Sequence, residues 1–299
     1  MATVTLRDSE KLNVICLGRG TPVLLLHAFA SRADHWLPNV LPLAHKFRFY
    51  LPDLRGFGRS HMADLNDRDV FATYADDIED ILDHFNLQDV ILGGVSTGAY
   101  ACLTYNQVYG FGRVRKYLNI EHGPDSRPSD GKANGIFRER QAEYFAEFDE
   151  LLDIGRRQSH LGYWELPHQH RIRLRDAVAD ALRRSSNNFG TRQLITLGTG
   201  LAEPLFTRFM LPVEKWQAYL QVMQAFMIGR DTRDALANIR VPTTLMMGRH
   251  SRFFSLEAQQ ELADNIPHAN VVIFDKSGHA PMLDQPIKFQ REFSRFLIA

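Results

Sequence analysis

Residues 90–100 read Val-Ile-Leu-Gly-Gly-Val-Ser-Thr-Gly-Ala-Tyr. The apolar, β-branched start of this stretch predicts a buried strand, and the residues from Ala99 to Tyr109 are compatible with a helix. Between the two, Gly94-Val95-Ser96-Thr97-Gly98 has the pattern G-x-S-x-G. A serine on such a tight strand-to-helix turn has a strained backbone and an accessible hydroxyl, and the flanking glycines let strand and helix approach closely. The stretch therefore marks Ser96 as a candidate nucleophile.

Similar apolar runs occur on both sides of this stretch and alternate with helical patterns. The predicted strands are Pro22–His27, Phe47–Leu51, Val90–Val95, Tyr117–Glu121, Thr243–Met247 and Val271–Phe274. Apolar residues at helical spacing mark Tyr74–Phe85 and, near the end of the chain, Pro286–Leu297. Strands separated by helices predict an α/β fold with a mostly parallel sheet covered by helices on both faces.

The alternation stops between about residues 124 and 236. This part of the chain has helical patterns only, over Ile136–Ile154, Arg171–Ser185 and Pro212–Ile228. Strand patterns resume after Ile239-Arg240-Val241-Pro242. We therefore predict a core built from residues 1–123 and 237–299, with a helical cap inserted at residues 124–236.

The bulk composition excludes several classes of function. The chain has 299 residues, of which 44% are hydrophobic, and its 35 basic and 35 acidic residues balance. Without a basic excess, neither nucleic acid nor a membrane surface is the expected partner. Two cysteines, Cys16 and Cys102, make neither a disulfide framework nor a zinc site. No signal peptide or membrane-spanning run is visible, so a cytoplasmic protein is expected. No metal or organic cofactor is expected either.

Four motifs, each at the end of a predicted strand, resemble those of the α/β-hydrolase superfamily. In chain order they are His27-Ala28-Phe29, Asp53-Leu54-Arg55-Gly56-Phe57-Gly58-Arg59-Ser60, Gly94-Val95-Ser96-Thr97-Gly98 and Ser277-Gly278-His279. The resemblance covers essentially the whole chain. It implies the α/β-hydrolase fold and a capped serine hydrolase similar to esterases, lipases and thioesterases.

The resemblance also implies roles for individual residues. His279 is the expected general base, because a serine hydroxyl is a poor nucleophile without one. The backbone N–H groups of Phe29 and Thr97 are the expected oxyanion hole. Ala28 stands where the family usually has glycine, and His27 is expected mainly to hold its loop in place.

The orienting acid is the ambiguous member of the triad. In Gly248-Arg249-His250-Ser251 the serine occupies the position where the family usually has an aspartate. A serine cannot supply the negative charge that stabilises an imidazolium. Some relatives, such as certain haloalkane dehalogenases, have the acid after the strand that follows the elbow, and Glu121 matches that position. We favour Glu121 as the acid, with Ser251 and Asp284 as the alternatives.

These residues predict hydrolysis of a carboxylic ester or thioester through an acyl-enzyme on Ser96. The expected substrate is a small apolar molecule with an acyl or aromatic group, because the predicted cap is rich in large apolar side chains. Candidate pocket residues are His27, Trp36, Tyr100, Trp164, Phe253 and Phe254. Alternative functions are an acyltransferase with the same triad, a cofactor-free oxygenase or lyase, and a ligand-binding receptor with a slow triad. The oligomeric state is open, and a homodimer is one option.

Overall fold

The computed structural model describes residues 1–65, 68–128, 135–201, 204 and 215–299. Its strands form one sheet, with the order β1-β2-β4-β3-β5-β6-β7-β8. The β1–β2 and β2–β4 pairs are antiparallel and the other pairs are parallel, so the mostly parallel α/β sheet is confirmed. The strands are β1 Ala2–Thr5, β2 Lys11–Gly18, β3 Thr21–Leu26, β4 Phe47–Pro52, β5 Val90–Val95, β6 Val114–Ile120, β7 Thr243–Gly248 and β8 Asn270–Phe274.

Helices connect the strands and cover both faces of the sheet. Within the described ranges they are α1 Leu37–Val40, α2 Val70–His84, α3 Thr97–Tyr109, α4 Gln141–Gln158, α5 His168–Ser185, α6 Phe189–Leu201, α7 Gln217–Ile228, α8 Arg233–Leu236, α9 Leu256–Asn265, α10 Pro281–Asp284 and α11 Pro286–Ile298. None of these described helices combines the length and the hydropathy that crossing a lipid bilayer requires.

Alternation along the central strands explains why both faces are covered. In β3, Leu24 and Leu26 belong to one core cluster, whereas Val23 and Leu25 belong to a second cluster. All four are essentially inaccessible to solvent. Because successive side chains of a strand point to opposite faces, the two clusters lie on the two sides of the sheet. A strand that is buried on both faces is apolar on both, as Val23–Leu26 of β3 are.

The elbow lies where the order of the strands reverses. From β3 the chain continues to β4 on one side, and from β5 it continues to β6 on the other side. Such a switch point leaves a crevice at the carboxyl ends of the strands, where ligands of open α/β sheets bind. Glycines permit the close packing there. A Cβ on Gly94 would overlap the backbone of Gly98, and a Cβ on Gly98 would lie 2.6 Å from the carbonyl oxygen of Leu26.

The region predicted as a cap contains α4 to α7, which follow β6 in the chain. The predicted helix from Ile136 begins at Gln141 instead, because Phe137 and Arg138 have φ angles of 65° and 56° that end any regular helix there. A helix absent from the prediction, α6, lies between α5 and α7. The predicted start of the next helix, at residues 212–214, lies outside the described residues.

The packing at the elbow makes a testable prediction about stability. Gly94→Ala is expected to lower the free energy of unfolding by about 3 kcal/mol, because the added methyl overlaps main-chain atoms that cannot move independently. Gly112→Ala is the matched control, since a Cβ there meets nothing within 4 Å. Urea denaturation of both variants measures the difference. Equal stability of the two variants would contradict the close approach of strand and helix.

Candidate active site

Ser96 lies between β5 and α3 in a strained conformation. Its φ and ψ angles are 51° and −114°, values that a residue with a side chain adopts only under constraint from its surroundings. Its N–H donates a hydrogen bond to the carbonyl of Ile120 at 2.8 Å, and its own carbonyl accepts one from Tyr100 at 2.9 Å. Thr97 is the first residue of α3, so its N–H has no acceptor within the helix. The serine is therefore at the positive end of the helix dipole.

Glu121 and His279 form a buried acid–base pair. The Nδ1 atom of His279 lies 2.9 Å from Oε2 of Glu121, and the N–H of Gly248 donates to Oε1. Glu121 is completely buried and His279 is 5% exposed. A carboxylate withdrawn from water is costly unless it is paired and hydrogen-bonded, so these two donors stabilise its charge. They leave Nε2 of His279 as the ring atom that can accept a proton.

Glu121 reaches this position through its backbone conformation. It follows β6 directly and has a φ of 60°, which is unfavourable for a residue with a Cβ. Its N–H donates to the carbonyl of Met246 in β7 at 3.0 Å. The N–H of Ser96 donates to the carbonyl of Ile120, the residue that precedes Glu121. Two strained residues thus lie side by side at neighbouring strand ends, which is typical of functional sites.

The two alternative acid positions have other partners. The Oγ atom of Ser251 is 3.4 Å and 3.5 Å from the backbone nitrogens of Phe253 and Phe254, so it faces its own turn. The carboxylate of Asp284 accepts N–H groups from Gly278 at 2.7 Å and from Asn187 at 2.9 Å. The structure thus brings Glu121 to Nδ1 of His279, and it engages Ser251 and Asp284 elsewhere.

The loop after β3 adjoins the start of α3. A Cβ on Gly98 would lie 2.7 Å from the carbonyl oxygen of His27, so the helix rests directly on this loop. His27 holds the loop: its Nδ1 donates to the carbonyl of Ala28 at 2.8 Å, and its Nε2 accepts the N–H of Leu54 at 2.9 Å. Burial lowers the pKa of His27 to about 4, which keeps it neutral. Ala28 does not adopt a positive φ, so a glycine is not required there.

The aromatic pocket candidates separate into two groups. Phe253 stacks on His279 with 4.2 Å between ring centroids. Trp36 stacks on Phe293 in one core cluster, and Tyr100 belongs to the other. Trp36 and Tyr100 therefore lie on opposite faces of the sheet. Trp164 is 48% exposed. The placement of the two tryptophans does not match the prediction that they line the pocket, because one fills the core behind the sheet and the other faces solvent.

Tyr100 and Phe254 enclose a histidine that the sequence analysis did not single out. His122 is fully buried, with ring centroids 4.2 Å from Tyr100 and 4.5 Å from Phe254. Burial lowers its pKa to about 3, so it is neutral, and its Nδ1 lies 2.6 Å from the carbonyl of Gly123. Its position directly after Glu121 is the one sequence signal that could have drawn attention to it.

An apolar cavity adjoins Phe29 on the side of the helices that follow β6. Its lining comes from the loop after β3 and from α4, α5 and α7. The residues around it are Phe29, Phe148, Leu151, Leu174, Ala177, Val178, Ala181, Tyr219, Leu220 and Met223. Phe29 and Tyr219 are in edge contact at 5.2 Å between centroids. Its lining has no charged groups, but it holds only about 20 Å³, room for about one water molecule, so an apolar ligand group would enter only when these side chains move apart.

Known proteins are similar to this chain in sequence or in structure. The AB hydrolase superfamily protein YclE of Bacillus subtilis (strain 168) is 26% identical over 287 residues, which cover 94% of this chain and 92% of that protein. Non-heme chloroperoxidase CPO-A1 of Kitasatospora aureofaciens is 24% identical, over 99% of each chain. The solved structure of the esterase EaEST from Exiguobacterium antarcticum has a TM-score of 0.75 at 20% identity, covering 100% of this chain and 99% of that one.

The sequence pattern of a whole family also matches. The model of the family described as the alpha/beta hydrolase fold matches residues 21–286, a range that includes the elbow, Glu121 and His279. The eight-stranded, mostly parallel sheet of the described residues agrees with that fold. The chain is therefore a member of the α/β-hydrolase fold family.

Proposed function

We propose that this protein hydrolyses carboxylic esters or thioesters through an acyl-enzyme on Ser96. The observation that supports the proposal most strongly is the buried Glu121–His279 pair at the strand end next to the elbow. A nucleophile, a base and an orienting acid are what acyl transfer requires of side chains. Their order along the chain is Ser96, Glu121, His279, which is the serine, acid, histidine order of this fold.

In the proposed reaction His279 transfers the proton. Nε2 takes the proton of Ser96 as Oγ attacks the carbonyl carbon of the substrate, and the resulting oxyanion is stabilised by the N–H groups of Phe29 and Thr97. His279 then protonates the leaving alcohol or thiol. A water molecule, deprotonated by the same nitrogen, then attacks the acyl carbon. The bond between this carbon and Oγ breaks, His279 returns the proton to Oγ, and the carboxylic acid is released. Each oxyanion donor contributes about 10²-fold or more to kcat in such sites.

The role proposed for Glu121 is electrostatic. The histidine becomes an imidazolium during each half of the reaction, and a carboxylate 2.9 Å from Nδ1 stabilises that charge strongly because both side chains are buried. The second oxygen of Glu121 is held by Gly248, so the carboxylate does not need to reorganise as the charge develops.

The proposed substrate has an apolar acyl group, because the cavity beside Phe29 is lined by apolar side chains. Most of that lining comes from helices of the segment 124–236, which we propose acts as a cap over the carboxyl ends of the strands. The cap side contributes Leu174 and Met223, which are 3% and 6% exposed. Such a pocket binds by excluding water, and the few polar groups at the elbow orient the ester.

The proposed activity is tested with a panel of p-nitrophenyl esters and acyl thioesters of graded chain length. We expect saturable hydrolysis of esters with apolar acyl groups, and Ser96→Ala is expected to lower kcat by roughly a thousandfold or more. A fluorophosphonate probe is expected to add to Ser96 in the native chain only, as measured by mass spectrometry. Absence of both turnover and adduct in the folded native chain would refute the proposal.

The role of Glu121 has its own test. Glu121→Gln is expected to lower kcat by roughly a thousandfold, because the amide keeps the shape of the site but removes the charge that stabilises the imidazolium. Ser251→Ala, which removes a side chain from the alternative acid position, is expected to change kcat by less than about threefold. Steady-state kinetics measure kcat of both variants, and circular dichroism checks that both are folded. If Ser251→Ala is the inactive variant, Glu121 is not the acid.

The pocket proposal is tested by enlarging the cavity. Leu174→Ala is expected to shift the preferred acyl length upward and to cost about 3 kcal/mol of stability, because the leucine is buried against the cavity. Leu194→Ala is the control, since this leucine of α6 is 71% exposed. The kcat/KM ratio of long to short esters measures the shift. The same ratio in both variants would place the acyl group elsewhere.

A further inference from the structure

The carboxylate of Asp284 joins two segments that are distant in sequence. From residues 186–188, between α5 and α6, it accepts the hydroxyl of Ser186 at 2.6 Å and the N–H groups of Asn187 at 2.9 Å and Asn188 at 3.1 Å. From the loop that carries His279, it accepts the N–H of Gly278 at 2.7 Å. The hydroxyl of Ser277 lies 3.3 Å from the carboxylate but donates its one hydrogen to the nearer carbonyl of Gly278, at 2.9 Å. One side chain therefore accepts from four donors, three of them from the proposed cap.

The two segments are also in direct contact. A Cβ on Gly278 would lie 3.2 Å from both the nitrogen of Asn187 and the carbonyl oxygen of Ser185. On its other side, a Cβ on Gly248 would overlap the carbonyl of Gly278. The histidine loop is thus packed between the end of β7 and the segment 185–188. Since Gly248 also donates to Glu121, the loop, the acid and the segment 185–188 are mechanically connected.

The hydrogen bonds to Asp284 are charge-assisted, which makes them stronger than neutral ones. Ser186 is 1% exposed, so water cannot easily replace the carboxylate as its partner. A donor that is buried and left unpaired costs more free energy than the hydrogen bond itself contributes. Displacing the segment 186–188 would remove three of the four donors that hold the Asp284 carboxylate in place, and would therefore loosen its hydrogen bond with Gly278.

We propose that Asp284 is a positioning residue that couples the seating of the cap to the orientation of His279. The inference rests on the proposed function. When the segment 186–188 is seated, Asp284 holds the Ser277–Gly278 backbone so that Nδ1 of His279 faces Glu121. When the segment moves away, the carboxylate loses three of its donors and the histidine loop relaxes. Closure over a substrate and assembly of the acid–base pair are thereby one event.

The first test measures the coupling without any substrate. Ser186→Ala removes a donor on the cap side only, and hydrogen–deuterium exchange is followed in peptides covering residues 185–190 and 275–282. We expect faster exchange in both peptides. Asp275→Asn is the matched control, because Asp275 lies in the same connection but is exposed and pairs with Arg249. Faster exchange confined to residues 185–190 would overturn the proposal.

The second test measures catalysis. Ser186→Ala is expected to lower kcat and the rate of fluorophosphonate labelling by about threefold to tenfold with little change in KM, as loss of one buried hydrogen bond predicts. Asp284→Asn should lower both rates further, and Asp284→Glu should restore part of the loss. If KM alone rises in Ser186→Ala, the segment merely binds substrate and the proposal is wrong.

The two proposals fail in different ways. If the native chain is neither labelled nor active on any ester, the proposed function is refuted, while the exchange experiment still decides whether the two loops are coupled. If the native chain is active and Ser186→Ala matches it in both exchange and kcat, only the coupling is refuted. Should Asp284→Asn fail to fold, Ser277→Ala replaces it as the variant on the histidine side.

Discussion

The site depends on the burial of the Glu121 carboxylate, which is completely inaccessible to solvent. Removing an ionised carboxylate from solvent costs several kcal/mol, and only a well-placed set of donors offsets that cost. Here the donors are Nδ1 of His279, in the loop after β8, and the N–H of Gly248, at the end of β7. The charge is therefore stable only while β6, β7 and the histidine loop keep their relative positions. The fold and the proposed chemistry constrain each other at this one carboxylate.

The parallel sheet makes that arrangement possible. Because β5, β6, β7 and β8 run in the same direction, the residues after each strand meet at one edge. The backbone strain at Ser96 and Glu121 costs on the order of 1–3 kcal/mol at each residue, and the buried core on both faces of the sheet is what offsets it. The helices after β6 then lie against this edge through Phe29 and Asp284.

Patterns of short range predicted most of the fold, and contacts of long range explain the rest. The six predicted strands, which are β3 to β8, and α11 are confirmed because continuous apolar runs and helical spacing are strong local signals. The β1–β2 hairpin was not predicted because both strands lack a long apolar run. Ala2–Thr5 has four residues, and β2 begins with the polar residues Lys11 and Asn13 on either side of Leu12. The helix α6 contains Gly190 and Gly198, which weaken the helical signal. Motifs pointed to Ser96, Glu121 and His279, but three of the donors to Asp284 lie 96 to 98 residues away from it in the sequence, and no local pattern reveals contacts over that separation.

The most direct measurement of the central claim is proton NMR of the hydrogen between His279 and Glu121. A histidine N–H held by a buried carboxylate gives a far-downfield resonance, distinct from those of solvent-exposed histidines. A hydrogen bond between Glu121 and His279 predicts this resonance in the native chain and in Ser251→Ala, and its loss in Glu121→Gln and His279→Ala. A resonance that persists in Glu121→Gln would show that another group pairs with His279 and would contradict the account.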